Sequence, residues 1–463
     1  MNILHLLSQN QLTGAEVYAC QLIEKQVQKN HKVIQVSNDF FYETKARKIS
    51  LPVENTSFLQ FIKSVFALRK ILLNENIHVI HAHSRAASKL AFWARCGLKI
   101  GYLSTIHGRQ HISISKKIHN IYGDFLVPVC ENIRSQLTQE FKYNARRIKT
   151  VSNGIDSVKF QFKARPITDS KLIRIGIIGR DTGPKKLRTE IFIENLIPIL
   201  KNQGFQYQFT IIGGRKENFK INAETDITYL NPPQLNSKIY QDFDLICGSG
   251  RVCIEALLSG IPCIAFGESI YCGLVTVENY NEFKKSNFGD IGHDFNLPKF
   301  NQKQAEMDIQ QLFKFDVKTL AEMTALDFDL DLIVNQIQRL YESSYFIRHW
   351  PKWIPILMYH KIPDQDLQSK HKIFVQKSNF KKHLQFFKSQ GFQTLTFSDL
   401  AEFRKAKKDF KYFPRKPLVL TFDDGYVDNI TNADPLLKEI DIKAQIFLHA
   451  DTKVDSNHWN YDN

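Results

Sequence analysis

A glycine-rich turn between two apolar segments is the first place in this sequence where a ligand can be expected. Residues 244–267 read as a strand, a turn that holds Gly248 and Gly250, a helix that begins near Arg251, and a second strand. The free N–H groups and positive dipole end of such a helix favour a phosphate. Glu255, one turn into the helix, could accept hydrogen bonds from sugar hydroxyls. A glycine turn followed by a solvated glutamate explains the same residues equally well.

Two cations follow the strand predicted at residues 173–178. Arg180 and Lys185 lie in the turn after it, where together they could hold a diphosphate. The strand predicted at residues 209–212 ends at Gly213, which we assign to the same ligand-binding edge. A solvated basic loop is the alternative for Arg180 and Lys185.

A second polar edge is predicted near the N-terminus. Gly14 and Glu16 follow the first predicted strand, and His107 follows a later one, so all three could face one cleft. His107 and His111 have the spacing of two metal ligands one helical turn apart, but Gly108 between them favours a loop. A single polar His107 at the cleft is the functional interpretation, and a hydrogen-bonded structural histidine is the alternative.

Paired carboxylates occur near the end of the sequence. Asp423 and Asp424 follow an apolar strand and precede Gly425. Two carboxylates at a strand end can supply a general base or a metal ligand. Aspartates that only form the turn are an equally good explanation.

The elements that must position these residues alternate between strands and helices. This pattern predicts an α/β protein with doubly wound sheets. Two tandem units, predicted at residues 1–165 and 171–345, would enclose a ligand cleft. The segment 346–354 breaks the helical pattern as a linker, and a further domain is predicted over residues 355–463.

Charge and cysteine content restrict the partners and the compartment. The net charge of +15 favours a polyanionic partner, although lysines spread along the chain also serve solubility. No finger spacing or basic arm indicates nucleic acid. Seven cysteines without a CxxC pair favour a reducing compartment. With no basic leader segment and no apolar run of spanning length, we expect a cytosolic protein, with the membrane surface as a candidate partner.

Five short motifs carry a family resemblance over residues 1–345. They are Gly14-Ala15-Glu16, Thr105-Ile106-His107-Gly108, Asn153-Gly154-Ile155-Asp156, Gly179-Arg180 with Lys185, and Glu255-Ala256 with Gly260-Ile261-Pro262. In this order they resemble a GT-B glycosyltransferase of family 4, which has two Rossmann-like domains.

The resemblance implies a role for each matched residue. A nucleotide-diphosphate sugar would lie mainly on the second domain, where Arg180 and Lys185 match the cations that stabilise the departing diphosphate without a metal. Glu255 matches the carboxylate that holds the ribose. His107 matches a histidine near the reacting carbon of the sugar, and Gly14, with the adjacent Glu16, matches the acceptor-side loop.

One position departs from the family. Cys247 stands eight residues before Glu255, where the family commonly has a glutamate. A thiol cannot accept two sugar hydroxyls as a carboxylate does, so neither the sugar nor the retaining stereochemistry is predicted. The loop with Gly248 and Gly250 would lie against the donor phosphates, and Arg251 is expected to take over a phosphate contact.

The last quarter resembles a different family. Thr421-Phe422-Asp423-Asp424-Gly425 is similar to the signature of polysaccharide deacetylases of carbohydrate esterase family 4, a (β/α) barrel. The resemblance implies that Asp423 is the general base, and that Asp424 binds a divalent metal, usually zinc, together with two histidines of a later His-x-x-x-His motif. That motif does not occur before Asn463, so we expect a truncated, inactive deacetylase. A fragment of a longer protein is favoured over a degenerate remnant, because both aspartates are intact.

These expectations combine into one predicted function. The chain would transfer a sugar from a nucleotide-diphosphate sugar to a lipid-linked glycan in cell-surface polysaccharide or lipopolysaccharide synthesis. Two alternatives stay open. The chain could be a metal-dependent deacetylase whose GT-B part only binds glycan, or a glycan-binding protein without turnover.

Overall fold

The chain forms two compact units, residues 1–344 and residues 345–463. The computed structural model describes residues 1–8, 13–54, 57–111, 121–163, 172–221, 227–232, 235–268, 270–292, 299–312, 314, 316–351, 353–368, 372–405, 408 and 410–448.

The first half of the larger unit is built around a sheet of parallel strands. The strands are β1 (Asn2–Leu6), β2 (Lys32–Ser37), β3 (Arg47–Ser50), β4 (Val79–Ala82), β5 (Gly101–Ile106) and β6 (Phe125–Pro128). They lie in the order β3-β2-β1-β4-β5-β6. The helices of this half are α1 (Gly14–Gln28), α2 (Phe58–Asn74), α3 (Arg85–Ala94) and α4 (Glu131–Ser135).

The inner strands of this sheet are apolar because helices cover both faces of a parallel sheet. Nearly every residue of the inner strands β1, β2, β4 and β5 is buried. Two of the helices begin at serine caps: the Ser57 hydroxyl accepts from the Gln60 N–H, and the Ser84 hydroxyl accepts from the Ala87 N–H. The sequence therefore determines both the sheet and the starts of these helices.

The second half of the larger unit repeats this plan. Its strands are β7 (Leu172–Ile178), β8 (Gln206–Ile212), β9 (Ile227–Leu230), β10 (Leu245–Gly248), β11 (Cys263–Phe266) and β12 (Tyr271–Leu274). They lie in the order β12-β11-β10-β7-β8-β9, and only β12 pairs antiparallel. The helices are α5 (Gly183–Asn202), α6 (Ser237–Gln241), α7 (Arg251–Leu258), α8 (Tyr280–Lys285), α9 (Gln302–Gln311), α10 (Val317–Phe328) and α11 (Leu330–His349). The predicted α/β class with two Rossmann-like sheets is confirmed.

Helix α11 follows the second sheet in sequence but contacts the first. The Tyr341 hydroxyl lies 2.7 Å from Nδ1 of His81 in β4. The Ser344 hydroxyl donates to Asp124, which immediately precedes β6, over 2.8 Å. The helix ends at His349, so it includes the first four residues of the segment 346–354 that was predicted as a linker. It therefore joins both halves of the larger unit.

The smaller unit is a parallel sheet with its own core. Its strands are β13 (Ile356–Tyr359), β14 (Gln393–Thr394), β15 (Pro417–Phe422) and β16 (Gln445–Ile446), and its helices are α12 (Lys377–Ser389), α13 (Phe397–Arg404) and α14 (Asp434–Ile440). Strand β15 pairs with the other three, and every position in it is buried. Among the described helices of both units, none is long and apolar enough to cross a membrane.

Candidate active site

The donor-side residues predicted from the sequence meet at one edge of the second sheet. Strands β7, β8 and β10 are neighbours and run parallel, so the turns after them lie side by side. Gly213, after β8, has φ of +95°, and a Cβ there would lie 2.9 Å from the Gly179 carbonyl oxygen after β7. The predicted edge therefore exists, and only glycine fits its turn at Gly213.

The two predicted cations both face carboxylates at this edge. The Arg180 guanidinium lies 3.3 Å from Oε1 of Glu268, and Lys185 Nζ lies 3.9 Å from the same oxygen. Lys185 Nζ also lies 3.3 Å from Oδ1 of Asp290. A diphosphate bound here must therefore compete with Glu268 and Asp290 for the cations.

The glycine turn at the start of α7 is filled by neighbouring side chains. The Ser249 hydroxyl lies 2.6 Å from Asp290 Oδ1. A Cβ at Gly250 would lie 2.8 Å from Asn287 Nδ2 and 3.0 Å from Asp290 Oδ2. At Gly248, a Cβ would lie 2.3 Å from a methyl group of Val252. The turn thus brings the Asp290 carboxylate close to the N-terminal end of α7.

Glu255 is buried and bonded at both carboxylate oxygens. Oε1 accepts from Arg251 Nε over 2.5 Å, and Oε2 accepts from the Tyr240 hydroxyl over 2.7 Å. Burial raises the pKa of Glu255, and the Arg251 charge opposes that rise. Arg251 Nη1 also donates to Gln21 Oε1 of α1 over 3.1 Å. The proposed ribose ligand is thereby linked to the first half of the unit.

Cys247 does not face a ligand. It lies in the middle of β10, fully buried in the apolar cluster between Ile177 of β7 and Ile264 of β11. Burial raises the pKa of its thiol to about 12. A residue in this position cannot bind sugar hydroxyls, so any such contact must come from other side chains.

Four polar residues of this edge were not predicted from the sequence: Glu268, Asp290, Tyr240 and Gln21. Glu268 follows β11 at the carboxyl edge of the sheet, so its position after an apolar strand was an available signal. The other three come from a turn and from two helices, and no local pattern marks them.

On the acceptor side, Gly14 and Glu16 lie in the first turn of α1. Among the described residues outside the backbone of α1, no atom lies within 4 Å of where a Cβ at Gly14 would stand. The Glu16 side chain is buried, and neither carboxylate oxygen has a hydrogen-bond partner among the described residues. Burial, with a smaller contribution from Asp39, raises the pKa of Glu16 to about 7. The carboxyl group is therefore half protonated near neutral pH.

The raised pKa of Glu16 predicts a pH-dependent stability. A folded-state pKa above the unfolded value stabilises the fold at low pH, and this contribution is lost as pH rises from about 4.5 through about 7. Glu16→Gln has no ionisable group here and should not lose stability as pH rises. At pH 8 its melting temperature should therefore exceed that of the wild type, by about 2–4 °C for each kcal/mol of unfolding free energy that the wild type loses. Thermal unfolding at pH 5 and pH 8 measures the difference. Glu43→Gln, at a side chain that is 97% exposed, is the control; equal pH profiles for Glu16→Gln and wild type would contradict the assignment.

His107 follows β5, as predicted, in a loop rather than a helix. Both of its ring nitrogens are shielded from solvent and lack hydrogen-bond partners among the described residues. Burial lowers its pKa to about 4, so the imidazole is neutral. His107 therefore offers one donor and one acceptor to a ligand. In the described part of the chain, no group of potential metal ligands contains both His107 and His111.

A different set of histidines has metal-like spacing. The nearest ligand atoms of His5, His81 and His83 lie within 4.8 Å of one another. Both nitrogens of His5 and both nitrogens of His81 are, however, within hydrogen-bond distance of neighbouring side chains. Hydrogen bonding therefore accounts for His5 and His81 without a metal ion.

In the smaller unit, the paired aspartates lie at the carboxyl end of β15. The Asp423 N–H donates to the Tyr359 carbonyl over 2.9 Å, and Asp424 has φ of +70°. Neither aspartate belongs to a group of three potential metal ligands in the described part of the chain, and His449 and His458 lie outside it. The described residues do not complete the predicted zinc site, and we derive no step through a metal.

Comparison with known families agrees with this division. Residues 12–159 match the family model described as Glycosyltransferase Family 4, and residues 411–461 match the model described as Polysaccharide deacetylase. The chain carries a family 4 glycosyltransferase domain and part of a polysaccharide deacetylase domain. The two resemblances stated from the sequence motifs are thus confirmed.

A curated relative supports the deacetylase assignment. The putative polysaccharide deacetylase YxkH of Bacillus subtilis (strain 168) is 37% identical over 106 residues, which are 23% of this chain. The chain covers 35% of the length of that relative.

Solved structures support the GT-B fold of the larger unit. A glycosyltransferase from Rickettsia africae ESF-5 superposes with a TM-score of 0.57 at 16% identity, over 74% of this chain and 98% of that one. HepE from Anabaena, in complex with UDP and glucose, gives a TM-score of 0.54 at 16% identity, over 73% of this chain and 98% of that one.

Proposed function

We propose that residues 1–345 transfer a sugar from a nucleotide-diphosphate sugar to a lipid-linked glycan. The observation that carries this proposal is the meeting of Arg180, Lys185 and the start of α7 at one edge of the second sheet. Neighbouring strand ends of an α/β sheet are the usual place for a phosphate ligand. The ligands named for the Anabaena structure make UDP-sugars the first donors to test.

The reaction needs a stabilised leaving group. The bond between the anomeric carbon and the diphosphate breaks, and the diphosphate leaves with the electron pair. The acceptor hydroxyl oxygen bonds the carbon, and its proton passes to the departing diphosphate. Lys185 and Arg180 neutralise the charge that develops on the diphosphate. Because both cations now face Glu268 and Asp290, donor binding exchanges carboxylate contacts for phosphate contacts. In this proposal Glu255 holds the ribose, while Gly14, Glu16 and His107 lie on the acceptor side.

A turnover assay tests the proposal. Purified chain, with EDTA present, should release UDP from at least one of a panel of UDP-sugars when a glycan lipid extract is added. Absence of UDP release and of labelled product from every donor would contradict it. Glycan binding without turnover would favour the non-catalytic alternative.

We also propose that α2 rests on an anionic membrane surface. Its residues Phe58, Leu59, Phe66 and Leu73 are 76%, 71%, 67% and 57% exposed, and their spacing places them on one face of the helix. The opposite face packs in the core through Leu68 and Leu72, while the exposed Lys63 and Lys70 flank the apolar stripe. An apolar stripe beside lysines on a chain with a net charge of +15 fits a surface of anionic lipid headgroups.

Vesicle co-sedimentation checks this surface. The wild-type chain should bind vesicles of equimolar phosphatidylcholine and phosphatidylglycerol, and the double variant Phe58→Ser, Phe66→Ser should bind about tenfold more weakly, because it loses much of the apolar contact. Leu326→Ser, at a leucine of α10 that is 74% exposed, is the control. Equal binding by wild type and the double variant would contradict the assignment of α2.

For the smaller unit we expect no metal-dependent deacetylation by this chain. The resemblance requires two histidine ligands beside Asp424, and the described residues bring no third potential ligand to Asp423 and Asp424, so we expect these residues to hold a metal too weakly to activate water. The measurement is acetate release from N-acetylated chito-oligosaccharides with and without added zinc. Zinc-dependent release that disappears in Asp423→Asn would contradict the expectation and favour the deacetylase alternative.

A further inference from the structure

A buried chain of hydrogen bonds connects the first sheet to α1 and α11. His5 Nδ1 lies 2.9 Å from His83 Nε2, and His5 Nε2 lies 2.8 Å from Oε1 of the Gln26 side-chain amide. The Gln26 amide nitrogen donates to the Tyr341 hydroxyl over 3.2 Å. That hydroxyl lies 2.7 Å from His81 Nδ1. Each of these side chains is fully or almost fully buried.

The donors and acceptors along these hydrogen bonds determine which histidine nitrogens carry protons. Because an amide oxygen only accepts, His5 Nε2 carries a hydrogen and His5 Nδ1 accepts. His83 Nε2 must then donate to His5 Nδ1. Burial lowers the pKa of His83 well below its ordinary value, so the ring carries one proton only. His83 Nδ1 is therefore left with a free lone pair.

That lone pair has no partner within the described part of the chain. His83 Nδ1 is shielded from solvent and makes no hydrogen bond, and the same holds for both nitrogens of His107. The two imidazole rings stack, with centroids 6.2 Å apart, and the Tyr18 ring packs edge-on against both, at 6.3 Å and 5.8 Å. Buried polar atoms without partners destabilise the protein, so a ligand that forms hydrogen bonds with them would be bound favourably.

We propose that His83 Nδ1, next to His107, accepts a hydrogen bond from a sugar hydroxyl. This inference rests on the proposed glycosyltransferase function and names a specificity residue for it. A neutral acceptor in a buried setting favours a neutral hydroxyl donor, because the nitrogen lone pair repels the oxygens of a phosphate and an ammonium group would lose its hydration. The hydroxyl belongs either to the sugar of the donor or to the acceptor glycan.

Two substitutions at His83 separate this role from a structural one. In His83→Gln, the side-chain amide can still donate to His5 from the ε position, but the acceptor at the δ position is lost. In His83→Asn, the amide oxygen restores an acceptor at the δ position. His78→Gln is the control: His78 directly precedes β4, and its Nδ1 accepts from the Asn2 N–H. Thermal unfolding of each variant establishes that it is folded.

Titration calorimetry then measures the affinity of each variant for UDP-glucose and for UDP. Sugar transfer to the best acceptor in a panel of p-nitrophenyl glycosides gives the KM for the acceptor. For a donor hydroxyl, His83→Gln should bind UDP-glucose about tenfold more weakly with UDP affinity unchanged. For an acceptor hydroxyl, UDP-glucose affinity should be unchanged while KM for the glycoside rises about tenfold. His83→Asn should recover most of either effect.

Three outcomes overturn the assignment. In the first, His83→Gln and wild type have equal affinities and KM values, so only water bonds Nδ1. In the second, His83→Asn fails to recover the loss, or His78→Gln shows the same loss. In the third, the wild-type chain neither binds UDP-glucose nor transfers sugar, which overturns the proposed function as well. Transfer by wild type with an unaffected His83→Gln variant leaves the proposed function standing and removes only the subsite.

Discussion

Lys185→Ala is expected to lower turnover of the nucleotide-sugar donor by about 100- to 1000-fold. Lys185 lies in the first turn of α5, and its ammonium is mostly shielded between Asp290 and Glu268. The charge that develops on the leaving diphosphate would be greatest in the transition state, so loss of the cation should lower kcat more than it raises KM. Initial rates of UDP release measure both constants.

Lys186→Ala is the matched control. The side chain of Lys186 points to Glu190, 2.9 Å away on the same helix, and is similarly shielded. Its removal should change the rate less than about threefold, because its ammonium faces Glu190 on the same helix and not the carboxylates of the donor edge. Arg180→Ala should act in the same direction as Lys185→Ala. Full activity in both Arg180→Ala and Lys185→Ala would contradict the proposal that the diphosphate binds at this edge of the sheet.

Glu255→Ala is expected to lose both stability and donor binding. Its removal leaves Arg251, which is largely buried, without a carboxylate and the Tyr240 hydroxyl without an acceptor. Breaking a buried ion pair costs about 3–5 kcal/mol, so the melting temperature should fall clearly. Thermal unfolding gives this part of the result.

Glu255→Gln isolates the ribose contact. The amide keeps an acceptor of the same shape but loses the charge, so the fold should survive while UDP affinity falls about tenfold. Asp308→Asn provides the comparison, because Asp308 is also a buried carboxylate that accepts from a tyrosine, Tyr271, at 2.9 Å. It should lose stability without losing UDP affinity. Unchanged UDP affinity in a folded Glu255→Gln variant would exclude Glu255 as the ribose ligand.

The fold was largely predictable because its central strands are buried on both faces. The continuous apolar run of the inner strand β11, in which every residue is buried, indicates a strand that is covered on both faces. The strands that were missed lie at or near sheet edges: β3 and β9 are only half buried and lack such runs. The start of α10 was not predicted, although Asp316 is a typical capping residue and its side chain accepts from the Lys318 and Thr319 N–H groups.

The candidate site was predictable only where chemistry follows a strand directly. Arg180, His107 and Asp423 each follow a strand closely, and each therefore lies at the carboxyl edge of its own parallel sheet. Asp290 and Gln21 reach the site through tertiary packing, which no spacing of residues in the sequence predicts. Cys247 was recognised as a departure from the family, but its complete burial between two strands required the structure.

Titration calorimetry of UDP against the purified chain, with EDTA present, tests the central claim without knowledge of the acceptor. We predict one UDP per chain, with affinity reduced at least tenfold in Lys185→Ala and unchanged in Lys186→Ala. Absence of UDP binding, or equal affinity in wild type and Lys185→Ala, would contradict the assignment of the donor site to this edge of the second sheet.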